Sequence, residues 1–468
     1  MLNNKTIQSL LVILPVLTGC TVGPNYQRPA VSNVVQYKEM AGWKVATPND
    51  DIDRGHWWKI YQDPLLNQLE EQVVISNQNV AQYIAKYQQA AALVGSSNAA
   101  LYPSFTLTPS ATRTAKNSST NSIETTTIDN AYATNLGLSW EIDLWGKLRR
   151  QVQENKASMQ ASVADLANAT LSAQSTLAQS YFALRVLDQR IELYERTITI
   201  YTKYCNVLDA KYKEGIIAKS DLTQAQQSLH SAEASKADLV WQRAQYEHAI
   251  AVLVGKAPAE FSLAKQTHTP LYVPDVPVGV PSQLLERRAD IAAAERRVAA
   301  ANEAIGIAIA GYFPSLTLSG SAGSSTEHFS TLFSASTLIW SLGASATQTV
   351  WDFGRNKANV QSARAAYNET VASYRQTVLD AMQAVEDGLS KSANLKTEMI
   401  AQQKALAAAT ETVRIYQNQY EEGMIDYLNV ATTEATRLNS QQSVLQLQST
   451  QLQNSVTLIV ALGGGWHS

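Results

Sequence analysis

The sequence predicts an α+β membrane protein in which three chains close a twelve-stranded β-barrel, four strands per chain, and long coiled-coil helices continue the barrel. Three observations lead to this fold: an internal duplication, two strand-like segments of alternating polarity in each copy, and a very long helical segment after each strand pair. Downstream of the N-terminus no apolar run of about 18 residues occurs, so membrane-spanning helices are not indicated.

The chain consists of two copies of one unit. WGK at 145–147 matches FGR at 353–355, and IAVLVG at 250–255 matches LIVALG at 458–463, both 208 residues apart. A linker between the copies holds five of the 13 prolines, which is typical of a connecting segment. The predicted boundaries are a signal peptide at 1–19, an N-terminal segment at 20–62, the first copy at 63–255, the linker at 256–281, the second copy at 282–462 and a C-terminal segment at 463–468.

The N-terminus resembles a bacterial lipoprotein signal. Lys5 precedes a short apolar run that ends in Leu17-Thr18-Gly19-Cys20, and such a run is a signal peptide rather than a spanning helix. The last four residues resemble a lipobox, in which the cysteine becomes the acylated first residue, so Cys20 is the predicted lipidation site. An ordinary signal peptide with a chance cysteine is the alternative. Thr21 is not the aspartate that retains such lipoproteins in the inner membrane, which favours the outer membrane.

Helices make up most of each copy. A helix at about 64–101, or 282–312, stops at a proline. A second helix runs from Gly146 to about Lys213, and its twin from Gly354 to about Glu421, each roughly 100 Å long at about 1.5 Å per residue. Each turns at a glycine into a shorter helix at 220–254 or 428–462. Apolar residues recur every three or four positions, which predicts coiled-coil packing: Tyr181, Leu184, Leu187, Ile191, Tyr194, Ile198, Tyr201, Cys205, Leu208 and Tyr212.

Two strands are predicted in each copy. They span 104–115 and 131–145, separated by a polar loop at 116–130, and 315–325 and 338–351 in the second copy. Apolar and polar residues alternate over about ten positions, which is typical of a transmembrane β-barrel and equally of a soluble sheet packed on helices. The lipobox favours the membrane.

Closure of the barrel predicts the oligomer. Four strands leave open edges that lipid does not tolerate. Two chains give eight strands and an interior filled by side chains, whereas three chains leave a lumen. The sequence therefore predicts a trimeric conduit.

At this point the chain resembles the TolC family of outer-membrane efflux ducts, in the lipoprotein branch that serves RND-type pumps. The resemblance implies a homotrimer with a periplasmic helical tunnel and an equatorial collar, docked to a periplasmic adaptor and an inner-membrane RND-type pump. It also implies passive export of drugs or other small toxic compounds. Ala289 departs from the family, which usually has proline there. The similar segments are GCTVGPNYQRP (19–29), WWKIYQDPLLNQLEEQ (57–72), LLERRADIAAAERRVAAANEAIG (284–306), YFPSL (312–316) and ALGGGW (461–466).

Three groups of candidate functional residues follow from this resemblance. The hairpin turns match the family's adaptor-contacting tips, although ordinary helix caps would look the same: Gly215, Ile216, Ile217, Lys219, Ser220, Asp221, Gly423, Met424, Ile425 and Asp426. Nearby carboxylates are candidates for a periplasmic gate, with solvated helix-end charges as the alternative: Asp209, Glu214, Glu421 and Glu422. Strand turns into helix, at the expected membrane interface, at Trp145-Gly146 and Phe353-Gly354.

No enzymatic chemistry is indicated. The six histidines are scattered without an H-x-x-x-H spacing, and the glycines at 463–465 lack the lysine of a phosphate loop. A net charge of −3 without a basic stretch gives no support for nucleic-acid binding. We therefore expect no catalytic, cofactor or metal site. A secreted, lipid-anchored helical scaffold or adhesin without channel activity is the alternative function.

Overall fold

The computed structural model describes residues 21–31, 37–39, 56–120, 123–266, 271–276 and 287–464. The signal peptide, Cys20, most of the N-terminal segment, two parts of the linker and the last four residues lie outside the described residues. The chain divides into two compact units. The first unit comprises Met1–Ala30, Lys86–Val163 and Ala293–Arg375, and the second comprises Val31–Ala85, Ala164–Ala292 and Gln376–Ser468.

The elements repeat in the same order in both copies. The first copy contains helices α1 (Pro64–Ser76) and α2 (Gln78–Ala99), strands β1 (Ser104–Thr120) and β2 (Ile123–Ile142), and helices α3 (Lys147–Lys213) and α4 (Lys219–Leu253). The second contains α5 (Ala289–Ala310), β3 (Ser315–Thr326), β4 (Leu338–Thr347), α6 (Arg355–Glu421) and α7 (Tyr427–Ala461). This mostly helical chain with four strands confirms the predicted plan. Within the described residues, no helix is both long and apolar enough to cross a membrane.

The helix predicted at 64–101 is wrong as a single element, because it breaks at Asn77. Asn77 adopts an extended backbone with ψ 122°, and its Oδ1 accepts hydrogen bonds from the backbone N–H groups of Asn79 (2.9 Å) and Val80 (3.1 Å). Its Nδ2 donates to the carbonyl of Leu253 at 2.8 Å. An asparagine that caps the next helix ends the previous one, so the break also fixes α1 to the end of α4.

The four strands form one antiparallel sheet in the order β1-β2-β3-β4. The β1–β2 ladder runs from Ser104↔Ser139 to Thr120↔Ile123, so the polar loop predicted at 116–130 is wrong. Its many threonines suit a pleated strand, and the ladder pairs their backbone groups. Because β3 pairs with β2 only as far as Tyr132↔Thr326, residues 123–131 extend the hairpin beyond the rest of the sheet. Strands β1 and β4 are its two edges.

The core of the second unit follows the predicted stripe. Leu187, Ile191, Tyr194 and Tyr201 of α3 are buried and belong to one cluster with Ala232 and Leu239 of α4 and Leu438 of α7. Tyr212 is 39% exposed, so the packed stripe ends before the hairpin turn. Cys205 is a buried free thiol, and burial raises its pKa, which is expected of a packed rather than a reactive cysteine.

The first half of the linker is fixed by buried charges of the second unit. Asp188 of α3 is fully buried between Arg185 (3.0 Å) and Arg243 (2.6 Å). The two guanidinium groups donate onward to the carbonyls of Ala264 (2.9 Å) and Leu263 (2.6 Å). The network therefore holds α3, α4 and the linker together.

Candidate functional site

The first hairpin turn, between α3 and α4, is built on a left-handed glycine. Gly215 has φ +72°. Its N–H donates to the carbonyl of Tyr212 and the N–H of Ile216 donates to the carbonyl of Lys211, both at 2.9 Å. These two bonds define a Schellman motif, which ends a helix where glycine adopts positive φ.

The second hairpin turn, between α6 and α7, has the same geometry. Gly423 has φ +75°. Its N–H donates to Tyr420 at 3.0 Å, and the N–H of Met424 donates to Gln419 at 2.8 Å. The two copies therefore end their long helices in the same way.

Each turn presents one exposed apolar side chain beside an open glycine. Ile216 is 69% exposed and Met424 is 71% exposed. A Cβ added at Gly215 or Gly423 would meet no described atom within 4 Å beyond the chain neighbours. The glycine backbone at both turns is thus accessible to a partner.

Two of the predicted tip residues point the other way. Ile217 and Ile425 pack against the buried cluster that includes Leu208, Leu222 and Tyr427. Of the remaining tip residues, Asp221 is half-buried in the first turn of α4, whereas Lys219, Ser220 and Asp426 are exposed. The candidate contact surface is therefore the outer part of each turn.

The gate carboxylates fall into two groups. Asp209 forms an ion pair with Lys213 one helical turn later, with 2.7 Å between Oδ2 and Nζ. Glu214, Glu421 and Glu422 are exposed, and no ion pair to them occurs among the described residues. Of these four carboxylates, only Asp209 forms an ion pair within the described part of the chain.

A contact between the two hairpins was not predicted from the sequence. The Nζ of Lys211 on α3 lies 3.4 Å from the hydroxyl of Tyr420 on α6 and 5.0 Å from the centroid of its ring. Tyr427 of α7 packs against Tyr420 at 6.0 Å and Tyr204 of α3 at 5.4 Å between ring centroids. We call Lys211, Tyr420, Tyr427 and Tyr204 the hairpin latch. The clustering of tyrosines near both glycines was the available signal.

The first strand–helix corner is packed. Trp145 stacks on Phe313 with ring centroids 4.7 Å apart and donates from Nε1 to the carbonyl of Pro314 at 2.9 Å. Gly146 has φ +77°, and a Cβ there would lie 2.5 Å from the Cγ2 of Thr21. The N-terminal residues therefore cover this corner.

The second corner has a similar backbone but no such cover. Phe353 has φ +54° and is 92% exposed. Gly354 has φ +89°, and a Cβ added there would meet no described atom within 4 Å beyond the chain neighbours. Asp352 accepts hydrogen bonds from the N–H groups of Asn356 (2.8 Å) and Gly354 (2.9 Å). The pKa of the Asp352 carboxyl is lowered, and the hydrogen bond from the backbone N–H of Asn356 is the largest cause.

Residues 21–31, which we call the N-terminal strap, are held along the first unit. The N–H of Val22 donates to the carbonyl of Trp145 at 3.0 Å. Arg150 donates from Nε to the carbonyl of Val22 and from Nη1 to Glu303, both at 2.6 Å. Further along, Tyr26 hydrogen-bonds to Glu295. The strap thus brings Thr21, the neighbour of Cys20, to the strand–helix corner.

Comparison with known proteins identifies the family. The chain matches the family model described as outer membrane efflux protein over residues 69–256 and 280–464, so it belongs to this family. It is similar to the cation efflux system protein CusC of Escherichia coli O6:H1, with 27% identity over 456 residues, covering 96% of this chain and 97% of CusC. The probable efflux pump outer membrane protein TtgC of Pseudomonas putida KT2440 is 26% identical, with 99% of this chain and 96% of TtgC covered.

Solved structures agree with this assignment. The structure of the outer-membrane channel OprN has a TM-score of 0.86 and 28% identity, covering 96% of this chain and 100% of OprN. A CusC structure has a TM-score of 0.84 and 26% identity, with 95% and 100% covered. The chain is an outer-membrane efflux channel. The predicted family, fold and location are confirmed, and the findings do not fit the alternative of a scaffold or adhesin.

Proposed function

We propose that three copies form a passive exit duct that docks to a periplasmic adaptor and an inner-membrane RND-type pump. Strand β4 carries this proposal, because all ten of its residues are exposed and its outer edge is unpaired in the described sheet. Lipid does not tolerate unpaired backbone groups. Pairing of β4 with β1 of a neighbouring copy satisfies both edges and closes the barrel.

Cargo selection belongs to the pump in this proposal. CusC is named for cation efflux, and a TtgC protein of Pseudomonas putida is named for toluene efflux. Because such different cargoes leave through relatives of one fold, the duct itself supplies a path and not a specific site. We propose that drugs or other small toxic compounds leave through this chain, and that it performs no catalysis.

The two hairpin turns are the proposed adaptor contacts. Ile216 and Met424 would bury apolar surface at the partner, and the open backbone at Gly215 and Gly423 would let a helix of the adaptor approach closely. The hairpin latch would hold the tunnel end closed at rest. In a trimer, Glu214, Glu421 and Glu422 would contribute rings of negative charge that favour cations at this entrance.

The lipid anchor is the third part of the proposal. Cys20 lies outside the described residues, but the strap holds its neighbour Thr21 at the strand–helix corner. Acyl chains on Cys20 would there enter the periplasmic leaflet, where each buried CH₂ contributes about 0.8 kcal/mol. Mass spectrometry of the mature N-terminus tests this, and an unacylated Cys20 in protein purified from outer membranes contradicts it.

Conductance tests the duct itself. The purified trimer in planar bilayers should conduct ions, and deletion of the gene should raise drug accumulation and susceptibility. A trimer without conductance, from a strain whose susceptibility does not change on deletion, contradicts the proposal.

A further inference from the structure

A polar cavity of about 430 Å³ lies in the first unit, where the sheet joins the helices. Thr21 of the strap, Leu101 at the end of α2 and Arg149, Arg150 and Lys156 of α3 contribute to its lining. Leu101 precedes β1 and accepts a hydrogen bond at 3.0 Å from Nε1 of Trp140, near the end of β2. The cavity is therefore level with the helix-joined end of the sheet.

Aromatic side chains mark the membrane interface at this level. Tyr102 and Tyr312, which follow α2 and α5, are both exposed, and Trp145 stacks on Phe313 beside them. Such aromatic residues lie at the headgroup depth of outer-membrane barrels. Since the helices extend into the periplasm, the cavity opens at the headgroups of the periplasmic leaflet.

Two arginines and one lysine line the cavity. Arg150 has a side chain only 5% exposed, and its 2.6 Å ion pair with Glu303 fixes it in place. Arg149 is bound through Nε to Asp143 at 3.1 Å and remains 40% exposed at its side chain. Lys156 is exposed, and no ion pair to it occurs among the described residues. Arg149 and Arg150 are each paired with a carboxylate, Asp143 and Glu303, so Lys156 supplies the uncompensated positive charge at this cavity.

We infer that this cavity binds the phosphate of an anionic phospholipid from the periplasmic leaflet. Guanidinium groups suit phosphate oxygens geometrically, and Lys156 adds a mobile charge at the mouth. The amides of Asn25, Asn98 and Gln153 also line the cavity and can donate to glycerol or ester oxygens. The inference requires the outer-membrane location but does not depend on acylation of Cys20.

The duplicated helix offers a matched control. Shifted by 208 residues, Arg149 and Lys156 correspond to Lys357 and Arg364 on α6. Neither of these two residues lines the cavity, and Arg364 is exposed like Lys156. Replacing Lys156 or Arg364 by glutamine changes the net charge of the trimer equally, so the two variants differ only in where the charge is lost.

The test uses the full-length trimer in detergent and native mass spectrometry. Dioctanoyl phosphatidylglycerol or dioctanoyl phosphatidylcholine is added to the trimer at increasing concentration. The wild-type protein should retain the anionic phosphatidylglycerol preferentially, at up to about one lipid per protomer. Lys156→Gln should weaken phosphatidylglycerol binding about fivefold, the change expected for one cation near anionic lipid. Lys156→Arg should restore binding, and Arg364→Gln should leave it unchanged.

Three results would overturn the inference. Both lipids carry a phosphate, so their equal retention would show that the net negative charge of the headgroup is not recognised. An equal loss in Lys156→Gln and Arg364→Gln would reflect net charge and not this cavity. Displacement of the lipid by millimolar inorganic phosphate would identify a solute site instead of a lipid site. Conductance of the same preparation, measured in parallel, separates a failure of this inference from a failure of the proposed duct.

Discussion

Three glycines with almost the same backbone conformation allow two costs of replacing glycine by alanine to be compared, the cost of the left-handed conformation and the cost of a steric clash. Gly215, Gly423 and Gly255 have φ +72°, +75° and +71°, and each ends a helix with the same two hydrogen bonds. A Cβ would meet no described atom within 4 Å beyond the chain neighbours at the first two. At Gly255 it would lie 2.2 Å from the carbonyl oxygen of Ser76.

Substitution by alanine should therefore give two different results. At Gly215 or Gly423 the cost is the left-handed conformation alone, about 1–2 kcal/mol. At Gly255 the Ser76 carbonyl must also move, which adds about 1–3 kcal/mol of overpacking. It also strains the 2.9 Å hydrogen bond from the Ser76 hydroxyl to Val254, whose loss adds about 1 kcal/mol.

Hydrogen exchange measures these costs locally. Gly215→Ala should speed exchange of the amides that close its turn about tenfold, as about 1.4 kcal/mol implies, and leave the trimer intact. Gly255→Ala should speed exchange at the α4 end at least tenfold more and lower the melting temperature. Gly215→Trp, with the same backbone cost, should in addition abolish cross-linking to the adaptor. A fall in melting temperature in Gly215→Ala as large as that in Gly255→Ala would refute the reasoning, since it would require an internal contact at the tip.

Three further predictions concern buried charge and the latch. Burial raises the pKa of Glu70 well above its usual range, and both of its carboxylate oxygens lack a hydrogen-bond partner among the described residues. The folded chain therefore holds this proton to a higher pH than the unfolded chain does. The free energy of unfolding should fall as pH rises above about 4.3, the pKa of glutamate in the unfolded chain. Glu70→Gln should remove this decline and be the more stable protein at pH 8 in thermal unfolding, and a less stable variant there would indicate an ionised, paired Glu70. Arg150→Met leaves the half-buried Glu303 without its ion-pair partner and removes the hydrogen bond to Val22, which should weaken the strap's attachment by about 1.5–3 kcal/mol and speed proteolysis within residues 21–31. Adding Glu303→Leu should restore part of the protection, and no restoration would mean that Arg150 acts through Val22 alone. Lys211→Met removes the 3.4 Å contact with Tyr420 and should raise single-channel conductance, whereas unchanged conductance would show that the latch does not close the tunnel.

The helices were the part of the fold most readily predicted from the sequence. The spacing of Leu184, Leu187, Ile191 and Leu208 predicted a continuous packed stripe, and α3 buries all four. Local periodicity is sufficient here because each helix satisfies its own backbone and needs only one apolar face. A stripe with the same spacing on α6 buries Tyr374, Val378, Ala381 and Val385.

Polar composition misled the prediction of the first hairpin. The segment 116–130 reads as a loop residue by residue, but most of it belongs to β1 and β2. Its strand structure depends on backbone pairing with a neighbour, which side-chain polarity does not report. At Asn77 the error was the opposite one, because a continuous helix was predicted where one helix ends and the next begins. The capping role of Asn77 depends on where its side-chain atoms point.

By itself, the sequence determined the duplicated plan, the long helices, the glycines that end them and the family. Tertiary structure alone decided which tip residues face outward, that Lys211 meets Tyr420, and that the strap joins Thr21 to the first corner. The first group rests on interactions within a few residues, where spacing fixes geometry. The second joins residues far apart in the sequence, 269 positions in the bond between Tyr26 and Glu295, and only the packing of the folded chain brings such residues together.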